Sequence, residues 1–313
     1  MTKDFSANLA ACFLAAAMLL TAATATLAQN AAPKDRNAVN ANTNASSMMA
    51  DSPLTFPDKG PNPPKYEPDL TVEEMPVEQD YFLFASPARS LAQINKIQAE
   101  MPPGEFTLPP TDWKYLKSTR KKLRKGGDLH ILGLGDSIIN DIMRSGWIAK
   151  LREKYPNANI KATVYVRGGG GNRHYREAGR IQKYLVPLKP DLVFIGGISQ
   201  QQDFEGMKDV IDQIRAELPE VEFLLATGAF GNVDPRDPAA LAVAQHSGTS
   251  PYGKALREFA KNEKAAYLDM TTPWAEYIRS SGLHPHLFYR DRVHANEYGE
   301  QILSKIMLAF FKS

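Results

Sequence analysis

The carboxyl-terminal three-fifths of the chain alternates short apolar runs with amphipathic helical patterns. The apolar runs suit buried strands and cover residues 129–134, 160–166, 192–195, 223–226 and 266–268. Residues 207–218 place apolar side chains on one face of a helix, and a last helix is predicted over 296–311. Buried strands separated by helices predict an α/β domain with a five-stranded parallel sheet. Because such sheets bind ligands at the carboxyl ends of their strands, chemistry is expected in the loops that follow the strands.

The first 28 residues have the pattern of a secretory signal peptide. Lys3 lies in a short polar start, residues 9–20 are mostly apolar, and Thr26-Leu27-Ala28 resembles a small-residue cleavage site. Cleavage after Ala28 predicts a periplasmic or secreted protein without Cys12, the only cysteine of the chain. The order Leu9-Ala10-Ala11-Cys12 resembles a lipoprotein box, but most of the apolar stretch follows the cysteine, so lipid anchoring is not expected. The run is also too short for stable membrane insertion.

Two further segments precede the α/β pattern. Residues 29–80 are rich in Asn, Ala, Ser and Pro and are predicted to form a poorly ordered linker, since this composition buries little apolar surface. Residues 81–125 are predicted to form a helical extension that packs on the core, with helices that begin at Ser86-Pro87 and at Thr111. The remaining part, 126–313, is the predicted main domain.

Composition and charge exclude several classes of protein. A chain of 313 residues with 43% hydrophobic and 23% charged residues has ordinary globular composition. The net charge is only +2, whereas nucleic-acid-binding domains are usually strongly basic, so no nucleic-acid partner is expected. A single cysteine excludes a Cys-rich zinc site.

A Gly-Asp-Ser sequence, Gly135-Asp136-Ser137, follows the first predicted strand. A serine at a strand–helix junction lies where free N–H groups favour negative charge, which suits a nucleophile and its oxyanion hole. An ordinary helix cap formed by Asp136 or Ser137 explains the same residues. The motif alone leaves both interpretations open.

A second motif, Asp291-x-x-His294, precedes the last predicted helix. This spacing allows the carboxylate to bind the Nδ1–H of the imidazole and to fix its tautomer. The alternative is a metal site built from Asp291, His284, His286 and His294. No second carboxylate or His-x-x-x-His pattern supports a metal, so none is expected.

Two polar or glycine-rich loops follow the second and third strands. Residues 168–171 are four consecutive glycines, which allow a backbone N–H to approach a ligand closely. No Gly-Lys-Ser/Thr follows them, so they are not a phosphate-binding loop. After the third strand, Ser199 and Gln200 bring a hydroxyl and an amide to the same edge. A flexible turn and a polar helix cap are the respective alternatives.

In their order along the chain, these motifs resemble the blocks of the SGNH (GDSL-type) hydrolases from about residue 129 to the end. The resemblance implies a flavodoxin-like three-layer sandwich and a serine esterase that needs no metal or organic cofactor. It implies that Ser137 is the nucleophile, His294 the general base and Asp291 its orienting acid. It also implies that the N–H groups of Gly171 and Ser137 form part of the oxyanion hole.

One block departs from this family pattern. The family usually has Gly-x-Asn-Asp after the third strand, and the Asn side chain completes the oxyanion hole; this chain has Gly197-Ile198-Ser199-Gln200. Counting without gaps from Asp191 places Gln200 at the Asn position, whereas counting from Gly197 places Ser199 there. Gln200 is favoured because glutamine keeps the amide donor. Since one lost donor costs on the order of 10²–10³ in rate, the departure indicates a weak enzyme or a rebuilt hole.

The sequence therefore predicts an exported serine esterase that hydrolyses O-acyl groups, most simply acetyl, on a small-molecule or polysaccharide carbohydrate. Arg167, Arg173, His174 and Tyr175 are candidate contacts for an acidic sugar. One alternative is an O-acyltransferase with the same triad, in which a sugar hydroxyl replaces water. Another is a carbohydrate-binding module that has lost turnover. The oligomeric state is left open.

Overall fold

A parallel sheet organises the described part of the chain. The structure is a computed structural model, and it describes residues 64–70, 89–108, 113–197, 199, 202–228, 234–243, 248–291 and 293–312. All of these residues belong to one unit, 45–313. The predicted signal peptide with its cleavage site at Ala28, most of the predicted linker, the helix start at Ser86-Pro87 and Gln200 lie outside the described residues.

The elements follow the predicted alternation. The strands are β1 (Gly127–Gly135), β2 (Ala158–Val166), β3 (Leu192–Gly196), β4 (Glu222–Ala226) and β5 (Ala266–Leu268). The α-helices are α1 (Leu91–Glu100), α2 (Lys117–Lys125), α3 (Ser137–Arg144), α4 (Trp147–Lys154), α5 (Asn172–Tyr175), α6 (Phe204–Glu217), α7 (Pro238–Val243), α8 (Pro251–Asn262), α9 (Thr271–Ser281) and α10 (Glu297–Lys312). Shorter helical turns cover Trp113–Tyr115, Ile181–Leu185, Val186–Leu188 and Pro285–Leu287.

The strand order β2-β1-β3-β4-β5, parallel throughout, confirms the predicted five-stranded sheet. The chain passes from β1 outward to β2 and then returns to place β3 on the other side of β1, so the strand order reverses at β1. Parallel α/β sheets bind ligands at such a reversal. Gly135, at the end of β1, lies opposite Val166 of β2 and Gly196 of β3. The loops that follow these three strands therefore begin side by side.

Alternate side chains of each strand enter two separate cores, one on each face of the sheet. On β1, Ile131 belongs to the core covered by α1, α2, α3, α4, α9 and α10, and the adjacent Leu132 belongs to the core covered by α6 and α8. Phe194 and Val193 of β3 divide in the same way. The result is the expected three-layer sandwich, in which α3 and α10 lie on the same face.

The amino-terminal extension packs on this framework, and the predicted helix start at Thr111, like the one at Ser86-Pro87, lies outside the described residues. Helix α1 begins at Leu91, because the hydroxyl of Ser90 accepts the N–H of Gln93 at 3.1 Å as an N-cap. The predicted second helix is interrupted at Leu116, whose backbone is not helical (φ −121°, ψ 43°) while its side chain is completely buried. Burial of Leu116 in the core overrides the helical pattern of its neighbours.

Residues 64–70, which lie inside the predicted linker, also contact the domain. Asp69 Oδ1 accepts the N–H of Ser90 at 2.7 Å, and the rings of Tyr66 and Tyr298 have centroids 6.1 Å apart. This part of the extension therefore reaches the first and last helices of the described fold.

Candidate active site

At the junction between β1 and α3, the helix cap and the candidate nucleophile are two different residues. Asp136, which is completely buried, caps α3 because its Oδ1 accepts the N–H of Ile138 at 2.9 Å. Ser137 is the first residue of the helix, and its Oγ lies 2.8 Å from Nε2 of His294. Of the two roles that the sequence left open, capping belongs to Asp136, and the serine hydroxyl is available to the histidine.

A continuous chain of hydrogen bonds joins Asp291, His294 and Ser137. The Nδ1 of His294 lies 2.9 Å from Oδ1 and 2.8 Å from Oδ2 of Asp291, and its Nε2 faces the serine. An anionic carboxylate beside Nδ1 favours the tautomer that carries its proton there, which leaves Nε2 to accept from the serine hydroxyl. The three side chains predicted from the motifs are thus brought together in the order that proton transfer requires.

The Asp291 carboxylate is held in its ionised form. Burial alone would raise its pKa, but hydrogen bonds from the His294 ring and from the N–H groups of Val293 and His294, both at 2.9 Å, bring the pKa below its usual value. The charge opposite Nδ1 therefore persists well below neutral pH.

The loop that carries Asp291 and His294 has its own hydrogen-bonded frame. Tyr289 and Ala295 form an antiparallel bridge, and the N–H of Arg290 donates to the carbonyl of His294 at 2.9 Å. Below this turn, the Asn296 side chain donates to the carbonyl of Leu287 at 2.8 Å. These bonds fix the turn just before α10 and hold the imidazole at the sheet edge.

Ion pairs join this loop to the helix that begins with Ser137. Asp141 lies one turn further along α3, is completely buried, and has its Oδ1 3.3 Å from Nη2 of Arg290 and 3.6 Å from Nε of Arg144. Arg144 Nε also donates to Glu300 of α10 at 2.6 Å. Two helices and the histidine loop are therefore tied together through ion pairs to two buried carboxylates, Asp141 and Glu300, which limits relative movement of Ser137 and His294.

The glycine block provides a second backbone donor, on a loop that begins next to the one that carries Ser137. The loop is held near β1 because the N–H of Arg167 and the hydroxyl of Tyr175 both donate to the carbonyl of Gly135. Gly171 forms the N-cap of α5 in an extended conformation. Among the described residues, neither the N–H of Gly171 nor that of Ser137 has an acceptor. Both are available for an oxyanion.

A family comparison agrees with this geometry. The model of the GDSL-like lipase/acylhydrolase family matches residues 134–302, which is more than half of the chain. The chain belongs to this family. The matched region runs from the end of β1 into α10 and includes all the candidate site residues. The predicted family is confirmed.

A solved esterase structure shows the same fold. A two-domain esterase active on acetylated mannans, co-crystallised with mannopentaose, has 14% sequence identity and a TM-score of 0.51, over 64% of this chain and 54% of that chain. This chain thus spans about half the length of that esterase. A catalytic mutant of an acetylxylan esterase from Geobacillus stearothermophilus has 19% identity and a TM-score of 0.42, over 59% of this chain and 94% of that chain. No curated protein matches the sequence.

The block after β3, where the chain departs from the GDSL pattern, is bound to the nucleophile's junction through Asp136. The N–H of Ser199 donates to Asp136 Oδ2 at 2.7 Å. Gly197 has a φ of +105°, and an added Cβ would collide with the same carboxylate. The sequence motifs identified Asp136 only as a helix cap. The Gly196-Gly197 pair after a buried strand was the signal for this close approach.

The four predicted sugar contacts divide into two groups. Tyr175 is buried, its ring packs edge-to-face on Tyr165 with centroids 5.2 Å apart, and its hydroxyl is bound to Gly135, so the prediction is wrong for this residue. His174 is also buried and contacts Arg167. Arg173 is exposed and Arg167 is half-buried. Of these four residues, only Arg167 and Arg173 are exposed enough to contact a ligand.

The described part of the chain contains no group of three or more His, Cys, Asp or Glu side chains arranged to hold a metal ion. His284 and His286 pack against each other with ring centroids 4.5 Å apart, while both ring nitrogens of His294 face Asp291 and Ser137. Within the same described segments, no helix has the length and apolar character needed to cross a bilayer.

Replacement of Gly197 by alanine is expected to destabilise the fold more than the same change at Gly179. Both glycines have positive φ, +105° and +80°, so each alanine costs about 1 kcal/mol of backbone strain. A Cβ at position 179 meets nothing within 4 Å, whereas one at position 197 must displace the Asp136 carboxylate. Chemical denaturation should show an additional loss of about 1–3 kcal/mol for Gly197→Ala. Equal losses would contradict the inferred contact with Asp136.

Proposed function

We propose that this protein is an exported serine esterase that hydrolyses O-acetyl esters of carbohydrates through a Ser137-His294-Asp291 triad. The observation that carries the proposal is the unbroken chain of hydrogen bonds from Asp291 through His294 to the hydroxyl of Ser137. The available N–H groups of Ser137 and Gly171, on loops that follow adjacent strand ends, support an oxyanion hole. Membership in the GDSL-like lipase/acylhydrolase family supports the reaction class.

In the acylation step, Ser137 Oγ attacks the ester carbonyl while Nε2 of His294 takes the hydroxyl proton. The carbonyl oxygen becomes an oxyanion and accepts hydrogen bonds from the N–H groups of Ser137 and Gly171. The Asp291 carboxylate stabilises the imidazolium that has formed. When the intermediate collapses, the bond to the sugar oxygen breaks, and that oxygen takes the proton from His294. An acetyl ester of Ser137 remains.

In the deacylation step, His294 acts on water in the same way. Its Nε2 takes a proton from a water molecule that attacks the acetyl carbonyl, and a second oxyanion forms in the same hole. Collapse breaks the bond to Ser137 Oγ, which recovers its proton from the imidazolium. Acetate leaves, and the enzyme returns to its starting state.

Two observations support the proposed substrate class and location. The amino-terminal segment has the pattern of a signal peptide, which supports export to where cell-wall and environmental polysaccharides occur. The two-domain esterase that shares the fold acts on acetylated mannans. Esters of soluble carbohydrates also fit a site whose edge is formed by glycine and polar residues.

Ser137→Ala should abolish acetate release from a small acetyl ester and from an acetylated polysaccharide. The expected loss in kcat is at least about 10³-fold, because no other group in the proposed triad can form the acyl-enzyme. The free energy of unfolding should change by less than about 1 kcal/mol, since Asp136 rather than Ser137 caps α3.

Ser118→Ala, on the exposed side of α2, is the matched control and should retain activity. Turnover that persists in folded Ser137→Ala protein would overturn the proposal. Binding of a polysaccharide without turnover by the unaltered protein would favour the binding-module alternative.

The third oxyanion donor is proposed to be the side chain of Gln200. Gln200→Ala should lower kcat about 10²-fold with little change in KM, because the lost hydrogen bond forms in the transition state. Ser199→Ala should be milder, since the N–H that binds Asp136 belongs to the backbone and is retained. Steady-state kinetics on the two folded variants distinguish the residues. A large loss at Ser199 with near-normal activity at Gln200 would assign the role to Ser199 instead.

A further inference from the structure

Arg167 lies beside the candidate oxyanion hole without a role in the proposed reaction. It follows β2 directly, and its N–H donates to the carbonyl of Gly135 at 3.0 Å. Gly135 lies two residues before the candidate nucleophile, Ser137. Its side chain runs along the glycine loop, since a Cβ added to Gly170 would lie 2.9 Å from its Cβ. Its Nη1 then reaches Nδ1 of His174 at 2.6 Å.

The contact with His174 holds the guanidinium group against α5, the short helix that follows the glycine block. The backbone N–H of His174 donates to the carbonyl of Gly171 at 2.9 Å, so His174 lies in the first turn after the N-cap residue whose N–H is proposed to bind the oxyanion. The positive charge of Arg167 therefore belongs to the same loop as the backbone N–H proposed to bind the oxyanion, four residues earlier in the sequence.

The charge on Arg167 is not neutralised by its neighbours. Burial lowers the pKa of His174 to about 3, and the nearby charges of Arg167 and Arg180 act in the same direction, so the imidazole is neutral. Arg180 has an acidic partner, since its Nε donates to Glu177 at 2.7 Å. For Arg167, no carboxylate lies within ion-pair distance among the residues that the structure describes.

We propose that Arg167 binds a carboxylate of the substrate, so that the enzyme acts on acetylated polysaccharides that contain uronic acid residues. This inference rests on the proposed esterase function. A half-buried cation without an anionic partner is unfavourable, and an anionic ligand would remove that cost. One guanidinium N–H bond is directed to His174, and the other donors of the fork can bind both oxygens of a carboxylate.

The experiment compares acetylated polygalacturonate with the same polymer after chemical reduction of its carboxyl groups to alcohols. The two substrates share backbone and acetyl esters and differ in charge. The unaltered enzyme should have a higher kcat/KM on the acidic polymer, and the ratio of the two values should fall with added salt. In Arg167→Ala the ratio should fall about tenfold or more, as expected for a lost charge-assisted hydrogen bond. Arg167→Lys keeps the charge without the fork and should give an intermediate ratio.

Arg120→Ala is the matched control, because it removes the same charge from the exposed surface of α2 and should leave the ratio unchanged. Thermal unfolding verifies that the variants are folded, and Arg167→Lys decides the test if Arg167→Ala does not fold. The proposal would be overturned if the Arg167 variants had the same ratio of kcat/KM values as the unaltered enzyme. It would also be overturned if Arg173→Ala, and not Arg167→Ala, lowered this ratio. If the unaltered protein hydrolyses none of these esters, the proposed function itself is contradicted, independently of the role of Arg167.

Discussion

The geometry of the candidate site depends on the buried carboxylate of Asp136. Such a group is stable in the interior only when its oxygens accept hydrogen bonds. One oxygen accepts the N–H of Ile138 and the other that of Ser199, so the carboxylate joins the start of the nucleophile's helix to the loop after β3. Because Asp136 takes over the capping, the Ser137 hydroxyl is left to face His294. The glycine at 197 allows the carboxylate to approach that loop closely.

The sheet brings together segments that are far apart in the sequence. Gly135, Val166 and Gly196 end three adjacent strands at the same level, because the strand order reverses at β1. The serine, the glycine block and the Ser199 loop follow these strand ends directly. The histidine loop arrives from the other end of the domain and is fixed by the ion pair between Arg290 and Asp141. Ser137 thus stands on a helix, and the loop that carries Asp291 and His294 is fixed to that helix, as precise positioning requires.

The sequence predicted the features that are determined locally. Buried strands and the Asp291-x-x-His294 spacing depend on neighbouring residues, and both were recognised from pattern. Contacts between distant segments were not recognisable in this way: nothing near Asp141 indicates Arg290, and nothing near Ser199 indicates Asp136. Tertiary packing also overrides two predictions made from local sequence. Burial of Leu116 interrupts a predicted helix, and burial of Tyr175 prevents this residue from contacting a sugar.

The central claim is that Ser137 is a nucleophile activated by His294 and Asp291. Reaction of the full-length protein with a fluorophosphonate probe, followed by mass spectrometry of its peptides, tests it most directly. The account predicts time-dependent attachment of one probe molecule per chain, on the peptide that contains Ser137, and much slower labelling in a folded Asp291→Asn variant. Labelling of a different residue, or equally fast labelling when Asp291 is replaced, would contradict it.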